Sequence, residues 1–180
     1  VLVSANQVGL AARRAIGRRG GVAAVTFLTP FRLAELLGGS SIAASGRRPV
    51  STPVVAGAVR SVLRDDPGHF AGVARHPATE RSLVRAHRDL SEIGPTGLDR
   101  LTAPATSSRI SDVVRVHRAV TTRLRFRFSN EQDLVRAAVG VLPDGPPVLR
   151  DLGPTIVFLP QRLTSSQALL LRTLGAHQSV

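Results

Sequence analysis

Lysine is absent from this chain, so each of its 24 formal cations is an arginine, set against 12 carboxylates for a net charge of +12. That absence excludes several chemistries. A phosphate-cradling P-loop needs the lysine of GxxxxGK[ST], Schiff-base catalysis needs an amine nucleophile, and nucleases of the PD-(D/E)xK type need a lysine beside their carboxylates. Cysteine is also absent, which removes disulfides, thiolate metal sites and a cysteine nucleophile, and nothing indicates an oxidising compartment. Tryptophan and tyrosine are missing and phenylalanine occurs only 6 times, so stacking platforms for bases are poorly supplied. The longest apolar runs, such as Val22 to Leu28, fall far short of the ~20 residues that span a bilayer, and no signal peptide is visible. Methionine is missing even at position 1. With the strand-like opening VLVSA, this predicts an excerpt of a longer chain.

What is present suits a folded protein. The 180 residues are 43% hydrophobic, enough for a core in one domain or in one domain with an inserted subdomain. A surplus of Ala, Gly, Val, Pro and Arg without Lys is what a high-GC coding bias produces. Such bias explains arginine in place of lysine, but not a twofold excess of bases over acids. A pI near 11.9 predicts nonspecific affinity for polyanions, nucleic acid first and anionic membrane second.

Along the chain, Val1 to Ala5 reads as a buried strand and Asn6 to Arg19 as a helix stopping at Gly20-Gly21. Val22 to Leu28 reads as a second strand. Thr29-Pro30 follows as N-cap and first helical position of FRLAELL, expected to end at Gly38-Gly39. Strand, helix, strand, helix predicts a parallel α/β beginning. Helices are then expected from Ser51 to about Arg64, broken by Asp65-Asp66-Pro67-Gly68, from Pro77 to Ser91, and briefly near Leu98. The longest is expected from Ser107 to Phe128, with Ile110, Val113, Val114, His117, Val120, Thr121, Leu124 and Phe128 on one stripe. Ser129-Asn130 opens NEQDLVRAAVGVL, and LPDGPP reads as a plain turn or loop. Thr155 to Leu159 reads as a strand, and Thr164-Ser165-Ser166-Gln167 is a capping-box pattern opening a helix to Leu174. The expected fold class is α/β, a Rossmann- or RecA-like parallel sheet built from residues 1–49 and 141–180, interrupted by an all-helical insertion at 50–140.

Catalysis has no visible home. GRRGG at 17–21 follows a helix and lacks GxGxxG spacing, so it reads as a helix C-cap and turn. Of the 5 histidines, none forms HxxxH or HExxH, and His87 and His117 lie on apolar helix faces as core residues. Asp65-Asp66 reads as a helix-ending turn, and Asp89 and Glu92 as i,i+4 partners of Arg85 and Arg88. No GxSxG elbow exists. Neither a cofactor nor a metal is expected in this segment. Basic stripes remain: Arg81, Arg85 and Arg88 recur at i, i+4, i+7, and Arg115, Arg118 and Arg125 share a face. Phosphate-contacting surfaces look like this, and so do solvated helix faces. RLRFRF around Phe126 is the one interleaved basic–aromatic stretch. It reads either as a nucleic-acid contact or as the end of the long helix.

The ordered set of motifs resembles the B-subunit family of bacterial helicase–nucleases, of AddB or RexB type. VLVSANQVGLAARRAI, a glycine gap and VTFLTPFRLAELL resemble its opening, where a strand, a helix and a strand lead into an F-x-RLA helix. ATERSLVRAHRDLSEIGPTGLDRL resembles its helix ending in an EL or DL turn before a P-x-x-L segment. RISDVVRVHRAVTTRLRFRFSNEQDLVRAAV resembles its K-x-x-D long helix and the (D/N)-E-x-D-L helix after it, and TIVFLPQRLTSSQALLLRTL its strand, turn and T-x-x-E helix. The resemblance implies a fold like the first motor domain of superfamily-1 helicases with a helical insertion, a helicase partner subunit, work on DNA double-strand breaks in the cytoplasm, and a nuclease domain far C-terminal. The P-loop would lie upstream of Val1. Where active helicases hold Mg²⁺ with DExx carboxylates, this chain has Phe158-Leu159-Pro160-Gln161, so the implied motor fold is an inactivated one serving as a DNA-handling scaffold.

In such a fold ligands lie at strand C-termini. That expectation places Ser4, Asn6 and Gln7 after the first strand, and Thr29 and Arg32 after the second, at a DNA-binding crevice, with Arg81, Arg85 and Arg88 as further phosphate contacts. Two rivals stand beside it: a doubly wound enzyme domain binding a nucleotide at a strand-to-helix switch point, and a basic regulatory or protein-interaction module. No membrane partner is expected.

Overall fold

A computed structural model describes residues 1–21, 23–103, 107–158 and 163–177. Along the chain run β1 (Leu2–Val3), α1 (Asn6–Gly17), α2 (Pro30–Ala44), β2 (Arg48–Pro49), α3 (Thr52–Asp65), a 3-10 segment (Gly68–Val73), α4 (Pro77–Ser91), α5 (Pro95–Arg100), α6 (Ser108–Leu124), β3 (Phe128–Ser129), α7 (Glu131–Val141), a 3-10 turn (Leu142–Asp144), α8 (Pro147–Leu152), β4 (Val157–Phe158) and α9 (Ser165–His177). They group into two compact units, Val1–Ser45 with Glu131–Val180, and Gly46–Asn130.

The expected Rossmann- or RecA-like α/β sheet is not there. About 70% of the described residues are helical, and the only regular sheets among them are two parallel pairs of two-residue strands. In the first unit β1 pairs with β4, Leu2 opposite Val157 and Val3 opposite Phe158, while Leu28 adds only an isolated bridge to Leu2. The physical reason is the brevity of the apolar runs. Ser4 and Ala5 end the first after three residues. In the second, Ala23 and Ala24 have low strand propensity, and Ala24 takes φ +56, which breaks an extended strand. Val22 of that expected strand, and Leu159, Pro160 and Gln161 of the strand end that lacks the carboxylates of active helicases, lie outside the described residues.

Helices build the first unit's core. Leu33, Ala34 and Leu37 of α2 pack with Val135 and Ala138 of α7, Leu142, Leu149 of α8, and Leu170 and Leu174 of α9. α7 thus belongs with α2 and α9, although the helical run ending at residue 140 placed it in the insertion. Gly38-Gly39 does not end α2, which continues to Ala44. A Cβ on Gly38 would stand 2.7 Å from both the Ala138 amide nitrogen and the Leu134 carbonyl oxygen, so the missing side chain is what lets α2 lie against the backbone of α7. Thr29 caps α2 by accepting from the Arg32 amide at 3.2 Å, with Pro30 opening the helix. The Thr164–Gln167 capping box forms at α9: the Gln167 amide donates to Thr164 Oγ1 at 3.2 Å, and the Thr164 amide to Gln167 Oε1 at 3.3 Å.

The second unit packs α3, α4 and α6 around Val55, Val59, Val62, Leu63, Leu83, Val84, Val116 and Val120. The 3.6-residue apolar spacing of each helix supplies these positions. α6 ends at Leu124, short of the expected Phe128. Arg125 to Arg127 form a turn, and the chain then extends so that β3 pairs in parallel with β2, Arg48 opposite Phe128 and Pro49 opposite Ser129. Among the described residues no helix is long and apolar enough to cross a membrane.

Candidate nucleic-acid interface

Arginine outnumbers carboxylate in the second unit, so which arginines the carboxylates claim decides where free positive charge remains. Most of the claimed ones lie on α6. Arg115 grips Asp66 at 2.8 Å and Asp112 at 2.9 Å, Arg118 grips Asp99 at 2.5 Å, and Arg123 grips Asp65 at 2.6 Å. The pairs with Asp65, Asp66 and Asp99 fasten α6 to the end of α3, to the turn after it and to α5, while Arg115–Asp112 lies within α6 itself. Arg115 also donates to the Asp66 carbonyl at 3.2 Å. Its guanidinium, through the hydrogen bond to Asp112, is the first cause holding that carboxyl below its ordinary pKa. The expected Arg115–Arg118–Arg125 phosphate stripe is therefore largely consumed inside the fold.

The α3–α4 side differs. Arg88 donates to Thr52 Oγ1 at the start of α3, and Arg60 of α3 holds both oxygens of Glu80 on α4 at 2.9 Å, which sets the two helices antiparallel. Arg81 and Arg85 are exposed and have no hydrogen bond or ion pair among the described residues. The expected Arg85–Asp89 pair does not form. An open groove of about 860 Å³ runs beside the start of α4, lined among others by Arg60, Arg64, Arg75, His76 and Glu80. Arg64 reaches Asp65 only at 3.6 Å, and Arg75 has no partner among the described residues. His76 is the N-cap of α4, its Nδ1 accepting from the Ala78 amide at 3.1 Å. Arg60, Arg64 and Arg75 were not singled out from sequence, although Arg60 and Arg64 stand four apart on one helix and so share a face.

The sequence-based residues of the first unit are placed otherwise. Asn6 and Gln7 are the exposed first residues of α1, whose N-cap Ala5 offers no side-chain acceptor. Thr29 is occupied as a cap, and Arg32 donates to Glu35 one turn along its own helix at 2.9 Å. The cavity beyond Ser4 and Pro30, lined also by Phe158 and Gln167, is about 30 Å³, room for roughly one water. None of Asn6, Gln7, Thr29 and Arg32 lines this cavity.

Inside the second unit, His87 of α4 and His117 of α6 face each other with ring centroids 4.7 Å apart, only 9% and 6% exposed, and neither Nδ1 has a hydrogen-bond partner. Burial, then the neighbouring His117, pushes the His87 pKa down to about 4, and burial lowers that of His117. Among the described residues no three His, Cys, Asp or Glu side chains come together as a metal-binding group. No protein-family model matches the chain, and no curated protein matches it.

Proposed function

We propose that the chain is a non-catalytic, DNA-handling segment that grips the phosphate backbone without reading sequence, through the α3–α4 face of its second unit. One observation carries this reading: among the described residues Arg81 and Arg85 stand exposed and unpaired on α4, and Arg75 is unpaired in the groove beside the start of that helix, whose single carboxylate, Glu80, is already taken by Arg60. Exposed guanidinium forks bind phosphate bidentately and keep their charge at any physiological pH. Each phosphate neutralised releases counterions, so such binding weakens steeply with salt. The ordered motifs that resemble helicase–nuclease B subunits supply the setting, a cytoplasmic DNA-break-processing complex with a helicase partner subunit. The role proposed here needs no motor fold.

Fluorescence anisotropy with two duplexes of unrelated sequence tests the reading. The expected result is similar affinity for both and a linear fall of log K with log salt. Binding to neither duplex at low salt refutes it. Affinity that ignores salt would favour instead a protein-interaction module whose basic character is only compositional.

A further inference from the structure

The turn after α6 carries a second feature that phosphate binding alone does not use. Phe126 is 74% exposed, the most of any large apolar side chain among the described residues, with Ile156 next at 61%. Isolated exposed apolar residues are ordinary, but the surroundings of this one are not. The guanidinium of Arg125 lies 4.5 Å from the centre of the Phe126 ring, covering one face as a cation–π partner. Arg125 and Arg127 flank it in sequence, and neither has an ion pair among the described residues. β2 brings Arg47 and Arg48 to the same corner. The turn is fixed there by main-chain bonds, the Arg48 amide to the Arg127 carbonyl at 3.0 Å and the Arg127 amide to the Leu124 carbonyl at 3.0 Å. Arg47 clamps the next carbonyl, that of Phe128, with Nε at 3.0 Å and Nη2 at 2.7 Å. No carboxylate occurs in the two segments that form the corner, Gly46–Val50 and Thr121–Asn130.

We infer that Phe126 is a stacking platform for an unpaired base, with Arg125, Arg127 and Arg48 placed for the phosphates on either side of it, so that the DNA bound by this chain includes single-stranded DNA. An aromatic ring open on one face, backed by a cation and rimmed by arginines, supplies the two contacts that single strands require, a π-surface and phosphate neutralisation. In a duplex the bases are stacked on each other and cannot reach such a ring. The inference rests on the DNA-binding reading above and adds the kind of strand. The turn's three-residue geometry keeps the ring in solvent, so Phe126 substitutions leave the core of the unit intact.

The lack of tryptophan and tyrosine makes the test direct. In the F126W variant of this 180-residue chain the introduced indole is the sole strong fluorophore. Titration with oligothymidylate should quench it, while a strand of equal length and charge whose central nucleotides are abasic should bind with little quenching. In anisotropy, F126A should bind oligothymidylate about fivefold or more weakly than wild type, with blunt duplex affinity and its salt slope unchanged. F126A that binds oligothymidylate like the wild type, or that weakens duplex and single strand equally, overturns the stacking role while leaving backbone binding standing. Wild-type protein that binds neither ligand overturns both readings together. Equal quenching by abasic and base-bearing strands also overturns it.

Discussion

Acidification should loosen the second unit well before its carboxylates protonate, because of the His87–His117 pair. In the unfolded chain a histidine titrates near 6.5. In the fold, burial and the facing His117 ring push His87 down to about 4. Between these values the unfolded state holds more protons than the native state, so stability is fully present above pH 6.5 and is lost as pH falls toward 4. For His87 alone, linkage gives a loss of roughly 2 kcal/mol between pH 7 and pH 5 and about 3 kcal/mol in all. His117 shifts in the same direction and adds to it. Against a total stability of about 5–15 kcal/mol for a small domain, that is a large fraction. Urea unfolding followed by circular dichroism at pH 7, 6 and 5, with amide exchange of α4 and α6 to identify the unit that opens, measures it. The double variant His87→Leu/His117→Leu should lose most of the pH dependence in this window. A wild-type stability that is flat from pH 7 to 5, or a slope that survives in the double variant, would refute the reasoning.

Three glycine substitutions test the packing. Ala is normally favoured over Gly inside a helix by about 1 kcal/mol, so Gly39→Ala, where a Cβ meets nothing within 4 Å, should raise the thermal midpoint. Gly38→Ala one residue earlier should lower it, since the Cβ would press on α7 backbone and overpacking costs about 1–3 kcal/mol; the reverse order of midpoints would refute the α2–α7 contact. Gly68→Ala should destabilise the second unit by about 1–3 kcal/mol, because Gly68 has φ +50 and its Cβ would meet Asp112 Oδ2 and Arg115 Nη2, whose side chains hold the His69 amide and Asp66 of this turn to α6. A urea midpoint equal to wild type would show that this turn is not held as described.

Local signals carried most of the helices. The extents of α3 and α4, the Val113, Val114, His117 and Val120 part of the α6 stripe, the Thr29-Pro30 opening and the Thr164–Gln167 capping box depend on residues a few positions apart, and there sequence and structure coincide. Ile110 and Thr121 of that stripe, by contrast, are exposed, and Phe128 lies beyond the helix. What failed depends on distant partners. Gly38 looked like a helix end because its reason for being glycine, the α7 backbone, lies a hundred residues away in the chain. Three apolar segments do meet around Leu2, as a parallel sheet would require, yet none is long enough for more than a two-residue pairing. The arginine stripes are indistinguishable in sequence: Arg115 and Arg118 of one find carboxylates 49 and 19 positions away, Arg115 holding Asp112 one turn back as well, while Arg81 and Arg85 of the other find none among the described residues. Phe126 read ambiguously because helical periodicity ran through RLRFRF, whereas pairing of β3 with β2 ends the helix at Leu124.

The arginine-face reading is tested most directly by the salt dependence of DNA binding in an Arg81→Ala/Arg85→Ala variant. Both side chains are exposed and unpaired among the described residues, so their loss should leave the fold and its melting temperature unchanged. Each lost phosphate contact should flatten the log–log salt slope by about one unit, so the double variant should differ from wild type by about two. Arg32→Ala, which removes only a helix-internal pair with Glu35, should keep the wild-type slope. A double variant with wild-type affinity and slope would contradict the placement of DNA on the α3–α4 face.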